Sequence, residues 1–288
     1  MRLRHQIAFG VVALLPLTAG TTSQATINGG TVGLDCADTT TPDGNPYQSN
    51  WKHNLTNFSS VCDNLASELW TNNEGTLSWR FNLQGSQPYW ETTSDSQPGG
   101  VDTVNLFFSA THGQAAPHDY WAAGTPPDSN YEATWSMWDY QTSARSMYMR
   151  LGDGKPGTSI FATYSCETML FDGYTWDRYG PLFRGGLRVA AGADGDISWC
   201  NTSAQQQTGS TFMWYLGQGY LIIDAWGNAF VGSGCPNQPP SIMFTGTSES
   251  NCVYRRENMT WANYSSSSFP QLKDSQITTW CGWQWNGI

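Results

Sequence analysis

The chain has 288 residues, enough for one large domain or two small ones with a sizeable core. Only 12% of them are charged, against about a quarter in an ordinary domain, yet 15 Trp, 13 Tyr and 12 Phe exclude a disordered acidic chain. The net charge of −10 argues against a nucleic acid or an anionic membrane surface as partner, since both need a basic face.

Arg2 and Arg4 precede an apolar run over 7–19, small residues follow, and Ser23-Gln24-Ala25 fits a cleavage site. This is the layout of a secretion signal over 1–25, and the run is shorter than the roughly 18–20 residues a membrane anchor needs. The mature chain is therefore expected outside the cell, with no membrane contact after cleavage. Five sequons, at Asn54, Asn57, Asn201, Asn258 and Asn263, fit a glycoprotein.

Along the mature chain, 30–35 reads as a short strand. Phe58, Val61, Leu65 and Leu69 recur at helical spacing and predict a helix over 55–71. Alternating Leu77, Trp79, Phe81 and Leu83 predict a half-buried strand. The continuous apolar run over 104–110 predicts a strand covered on both faces. A long loop over 114–132 and a helix over 138–151 are expected next, then a turn over 152–157. Further strands fall at 159–165 and 187–193, followed by a helical stretch over 208–230 interrupted by glycines. Strand-like pieces lie at 242–246 and 277–285. The alternation predicts an α/β fold over 26–232, with a mostly parallel sheet and helices on both faces. Residues 233–288 read as a disulfide-tied C-terminal extension packed on the same domain.

Seven cysteines leave one over if the compartment is oxidising. Cys166 ends an apolar run and is taken as the free thiol. Pairing the others by neighbours gives 36–62, 200–235 and 252–281, one of 15 possible connectivities.

Sites in such sheets form beyond the carboxyl ends of the strands. One strand ends at Thr111-His112-Gly113 and another at Ser165-Cys166-Glu167-Thr168. If the two strands are neighbours, His112 and Cys166 face one edge, and an imidazole is the kind of base that a nucleophilic thiol needs. The backbone N–H groups of Gly113 and Cys166 are then candidates for an oxyanion hole. Taken singly, a cysteine after an apolar strand is more often a core residue, and a His-Gly a turn.

An apolar strand ending in His-Gly, followed some tens of residues later by an apolar strand ending in Cys, resembles the caspase, legumain and gingipain clan of cysteine peptidases. Cys166-Glu167-Thr168 is similar to the Cys-Glu-Ser of legumains. Ser198-Trp199 followed by Gly209-Ser210-Thr211-Phe212 is similar to the order in caspases. Val101-Asp102-Thr103-Val104, Gly186-Leu187 and Ala225-Trp226 resemble an uncharacterised domain family related to the clan. The resemblance covers about half of the chain. It implies a caspase-like three-layer sandwich, a Cys166–His112 dyad, an oxyanion hole at Gly113 and Cys166, a peptide or protein substrate, and neither metal nor cofactor. Cys200 stands where the caspase loop has its Arg, against a preference for Asp. Glu167, Asp194, Asp196, Ser198 and Trp199 are the expected lining of the substrate pocket. The acids among them point to cleavage after Arg, Lys or Asn, with Glu167 or Asp194 selecting. Solvated loop acids are the bland alternative.

Two other classes remain in view. One is a non-catalytic secreted glycoprotein on the same fold, binding a glycan or protein through tryptophans such as Trp121, Trp135, Trp138 and Trp176. The other is a glycosidase using paired loop carboxylates such as Asp172, Asp177 and Glu167. No Gly-x-Ser-x-Gly elbow is present for a serine hydrolase.

Overall fold

The computed structural model describes residues 30–36, 58–72, 74–82, 100–111, 113–116, 132–136, 143–197, 202–235 and 238–284. The expected signal segment, His112, Ser198, Trp199 and Cys200 lie outside these residues, as does most of the expected loop over 114–132.

In chain order the strands are β1 (Thr31–Cys36), β2 (Thr76–Asn82), β3 (Leu106–Ala110), β4 (Gly113–Ala116), β5 (Glu132–Ser136), β6 (Ser143–Arg145), β7 (Ile160–Tyr164), β8 (Val189–Ala193), β9 (Pro240–Gly246) and β10 (Thr279–Gln284). The helices are α1 (Phe58–Asn72), α2 (Thr175–Tyr179), α3 (Ser203–Gln206), α4 (Thr208–Gly217), α5 (Ile222–Val231) and α6 (Glu249–Asn258). Seven strands form one mixed sheet in the order β10-β9-β8-β7-β3-β1-β2. The five from β2 to β8 run parallel, and β9 and β10 are antiparallel to their neighbours. The fold is therefore α/β with a mostly parallel sheet. Every residue of β3, β7 and β8 is buried, as continuous apolar runs in a covered sheet require.

The two faces are covered differently. On one, Leu34, Phe108, Ala162 and Val189 pack against α1, α4 and α5. Trp226 lies at the centre of that layer, 5.1 Å from the Phe212 ring and 4.7 Å from Phe230, and its indole donates to Gly192 O at 2.9 Å. On the other face, Phe107, Phe161, Ala190 and Met243 are covered by Trp135, Leu151, Tyr179, Leu182 and Phe183. Among the described residues, that layer is the small antiparallel sheet β4-β5-β6, the single turn of α2 and 3-10 turns, rather than long helices.

Two local expectations change. The described part of the predicted 138–151 helix is β6 and a 3-10 turn over Ser146–Tyr148. Ala144 and Ser146 are both buried, a strand period, and Ser146 Oγ accepts the Ala133 N–H at 2.9 Å. Pairing with β5 overrides local helix preference there. The 208–230 stretch is two helices, broken where Gly219 takes φ +81 after the end of α4.

The segment expected as an extension supplies two strands of the central sheet, β9 and β10. The Cys252–Cys281 bridge ties α6 to β10, and Cys36–Cys62 ties the end of β1 to α1. Cys166 is free. Cys235 is disulfide-bonded as well; its expected partner, Cys200, lies outside the described residues. Bridges of this kind fit an oxidising compartment. Among the described residues no helix is long and apolar enough to cross a membrane.

Asp102, fully buried, accepts the N–H groups of Gly152 at 2.6 Å and Thr158 at 2.7 Å. It thereby closes the turn that delivers β7, a structural use for the Val-Asp-x-Val motif.

Glu74, between α1 and β2, is 3% exposed, and neither carboxyl oxygen has a hydrogen-bond partner. It packs against Gly217 of α4. Burial first, and the nearby Glu68 second, push its carboxyl up from 4.5 to about 8. The folded state holds this proton more tightly than the unfolded one. The stabilisation is therefore complete below about 4.5 and is lost as pH rises through about 8. Glu74→Gln is expected to raise the melting temperature at about pH 9 more than at about pH 5, which thermal denaturation of the two proteins at each pH checks.

Candidate active site

The edge formed by the carboxyl ends of β3 and β7 is built by register. Leu106 pairs with Ile160 and Ala110 with Tyr164, so the two chains leave the sheet side by side. After β7 the chain enters a turn at Ser165–Met169 that carries Cys166. After β3 it reaches Thr111, and β4 starts at Gly113.

The close approach of β4 to that turn explains the glycine after His112. A Cβ on Gly113 would lie 2.3 Å from Thr168 Cγ2, 2.7 Å from the Cys166 carbonyl oxygen and 2.9 Å from Ser165 Cβ. Only a residue without a side chain fits, so the Gly113 backbone lies directly against the Cys166 turn.

Cys166 is half-buried, and its Sγ accepts the N–H of Ile197 at 3.3 Å. Burial pushes the thiol up to about 11; the Ile197 N–H opposes this, and the Asp196 and Glu167 carboxylates add to it. At neutral pH the thiol alone is protonated. Glu167 is half-buried. Its carboxylate accepts the Ala115 N–H at 3.3 Å, its own N–H donates to Gly195 O at 2.9 Å, and its carbonyl accepts the Tyr179 hydroxyl at 3.1 Å.

The acids after β8 differ in what their carboxylates do. Asp194 accepts the Phe171 N–H at 2.6 Å and the side-chain amide of Gln284, so it joins the end of the Cys166 turn to β10. Asp196 is exposed and lies between Gly195 and Ile197, whose backbones bond Glu167 and Cys166. Of the acids in the expected pocket, Asp196 has the carboxylate open to solvent beside the thiol. Of the four named tryptophans, Trp135 is fully buried and Trp176 is 37% exposed on α2 beside Tyr174. Trp121 and Trp138 lie outside the described residues. Asn258 is exposed, with its Nδ2 donating to Tyr254 O at 2.9 Å, and Asn263 uses both ends of its side-chain amide within the fold. Among the described residues no three His, Cys, Asp or Glu side chains converge as a metal ion needs.

Two supports of the turn carry no sequence signal. Tyr179, fully buried, accepts the Leu170 N–H at 2.7 Å while donating to Glu167 O, so one phenol closes the turn from beneath. Its neighbour Arg178 donates to Leu170 O and pairs with Asp172 through two nitrogens, at 3.2 Å in each case. Tyr164, two residues before the thiol, bonds Gln238 and Gln205 at 2.9 Å each, fixing the end of β7 to α3 and to the segment before β9.

No protein-family model matches the chain, and no curated protein matches it. The packing at Gly113 makes a direct prediction. Gly113→Ala must displace either β4 or the Cys166 turn, and is expected to destabilise the protein by about 1–3 kcal/mol. Chemical denaturation of the two proteins measures this.

Proposed function

We propose that the protein is a secreted, thiol-dependent hydrolase of peptide bonds on a caspase-like fold. Cys166 is the nucleophile, His112 the general base, and the backbone N–H groups of Gly113 and Cys166 stabilise the oxyanion. One observation carries the reading. The strands that end in the His112 and Cys166 blocks are adjacent and parallel, and Gly113 packs against the Cys166 carbonyl. In this scheme the imidazole takes the thiol proton, and the thiolate adds to the substrate carbonyl. The imidazolium then returns the proton to the leaving amine, and water releases the acyl group from sulfur.

The substrate side chain before the cut is cationic or an amide: Arg, Lys or Asn. Asp196 carries most of that selection, since its carboxylate is exposed next to the thiol. Glu167 and Asp194 border the same turn, and Ser198 and Trp199, the other residues expected in the pocket, lie outside the described residues. Carbohydrate at Asn258 is compatible with this arrangement, since that side chain is exposed.

One observation favours a second reading. A half-buried thiol pushed to about 11 is what an unreactive cysteine has, and exposed Tyr174 and Trp176 would then serve a non-catalytic binding protein. Alkylation separates the two. With an active dyad, iodoacetamide labels Cys166 near neutral pH. In His112→Ala the rate climbs only as pH approaches about 11, and any kcat/KM falls by at least about 100-fold. Equal pH profiles for wild type and variant reject the dyad. Cleavage of a mixed peptide library, read by mass spectrometry, checks specificity. Cuts are expected after Arg, Lys or Asn, and Asp196→Asn should weaken those after Arg and Lys about tenfold. Cuts mainly after Asp or large apolar residues would reject the proposed pocket.

A further inference from the structure

Among the described residues, Glu167 is the only one other than glycine with a positive φ, at 49°. Asn and Asp are the side chains that visit this region most readily; Glu has no such local compensation. A strained residue of this kind persists only where its surroundings over-determine it, and such positions cluster at functional sites. Here the surroundings do so from three sides. The Glu167 N–H is held by Gly195 O, its carbonyl by the Tyr179 hydroxyl, and its carboxylate by the Ala115 N–H.

The third of these bonds differs from the others. The first two hold the turn to the β8 end and to α2. The carboxylate reaches forward to β4, the strand that begins one residue after His112. Gly113 packs on the Cys166 carbonyl on the same side, so β4 meets the turn at two points two residues apart. One is van der Waals contact, which sets how near the chains come. The other is a directional bond, which sets where along the turn β4 sits.

We propose that Glu167 is a positioning residue: its carboxylate clips β4 to the nucleophile turn and so fixes the span between the chain at His112 and the thiol of Cys166. This rests on the Cys–His hydrolase reading for its effect on catalysis, but the clip itself does not. It also separates the two acids beside the thiol. Glu167 orders the site, and Asp196 faces the substrate.

The test uses two variants of the full chain. Glu167→Gly takes φ +49° without strain and removes the side chain with its carboxylate, so the turn is kept while the clip is lost. Glu167→Gln keeps an acceptor at the same reach. Amide hydrogen exchange at Ala115 reads the clip. It is expected to speed up about tenfold in the Gly variant and to stay near wild type in the Gln variant. The pH profile of Cys166 alkylation reads the positioning. Both variants lose the carboxylate charge that raises the thiol, so they are read against each other: the Gly variant's profile should lie closer to that of His112→Ala than the Gln variant's does, and coincident profiles count as unchanged. Unchanged Ala115 exchange in Glu167→Gly overturns the clip. Faster exchange with an unchanged alkylation profile overturns the positioning role. If wild type and His112→Ala already share one profile, the hydrolase reading and the dyad span fall together, and Ala115 exchange alone then decides whether the clip exists.

Discussion

The parallel pairing of β3 with β7 is the constraint on which the candidate site depends. Both strands are buried on both faces, so their register is set by what each face must pack. Phe107 and Phe161 stack at 5.4 Å on the small-sheet side, while Phe108 and Ala162 meet the helices on the other. A slip of one residue would turn every side chain to the wrong layer. That register places Ser109 opposite Thr163 and makes the two strands end together. The Asp102 carboxylate reinforces it from the other end, since it fixes the turn that starts β7.

The route of the chain after β3 matters as much as the pairing. A helical crossover would carry the chain away from the sheet edge at once. Here the crossover opens with β4 and the small antiparallel sheet. The chain therefore doubles back across the Cys166 turn before it leaves, and a glycine is needed where it crosses. The same choice explains why, among the described residues, no long helix covers the second face of the sheet. Trp135 of β5 supplies the apolar cover that a helix would otherwise give, edge-on to Phe161 at 5.4 Å.

Much of this is readable in the sequence because it depends on periodicity. The apolar runs at 104–110, 159–165 and 187–193 have the length and composition of covered strands, and the spacing of Phe58, Val61, Leu65 and Leu69 marks α1. The odd cysteine and its apolar context single out Cys166. The neighbour pairing holds for 36–62 and 252–281. Features that are not readable depend on contacts between segments far apart in the chain. Ser143–Arg145 is a strand because β5 lies beside it. Tyr179 carries no motif, yet its hydroxyl closes the Cys166 turn. Asp194 and Asp196 look alike in sequence. They differ only because Phe171 and Gln284 lie within reach of the first and solvent within reach of the second.

The electrostatics at Cys166 set what activation of the thiol requires. Burial and two neighbouring carboxylates all favour the neutral thiol, and backbone hydrogen bonds, the larger from the Ile197 N–H, favour the thiolate. These bonds do not outweigh the other three influences, and the thiol remains pushed to about 11. The contribution needed is positive charge. In the proposed dyad, an imidazolium formed by proton transfer would supply it from within the protein. A cationic substrate side chain lodged on Asp196 would supply it from outside, lifting one of the two carboxylate effects at the moment of binding. On the proposed reading, such a site would keep the half-buried thiol protonated and favour its ionisation when a basic ligand arrives. The acidity around the thiol would then bear on both reactivity and selectivity.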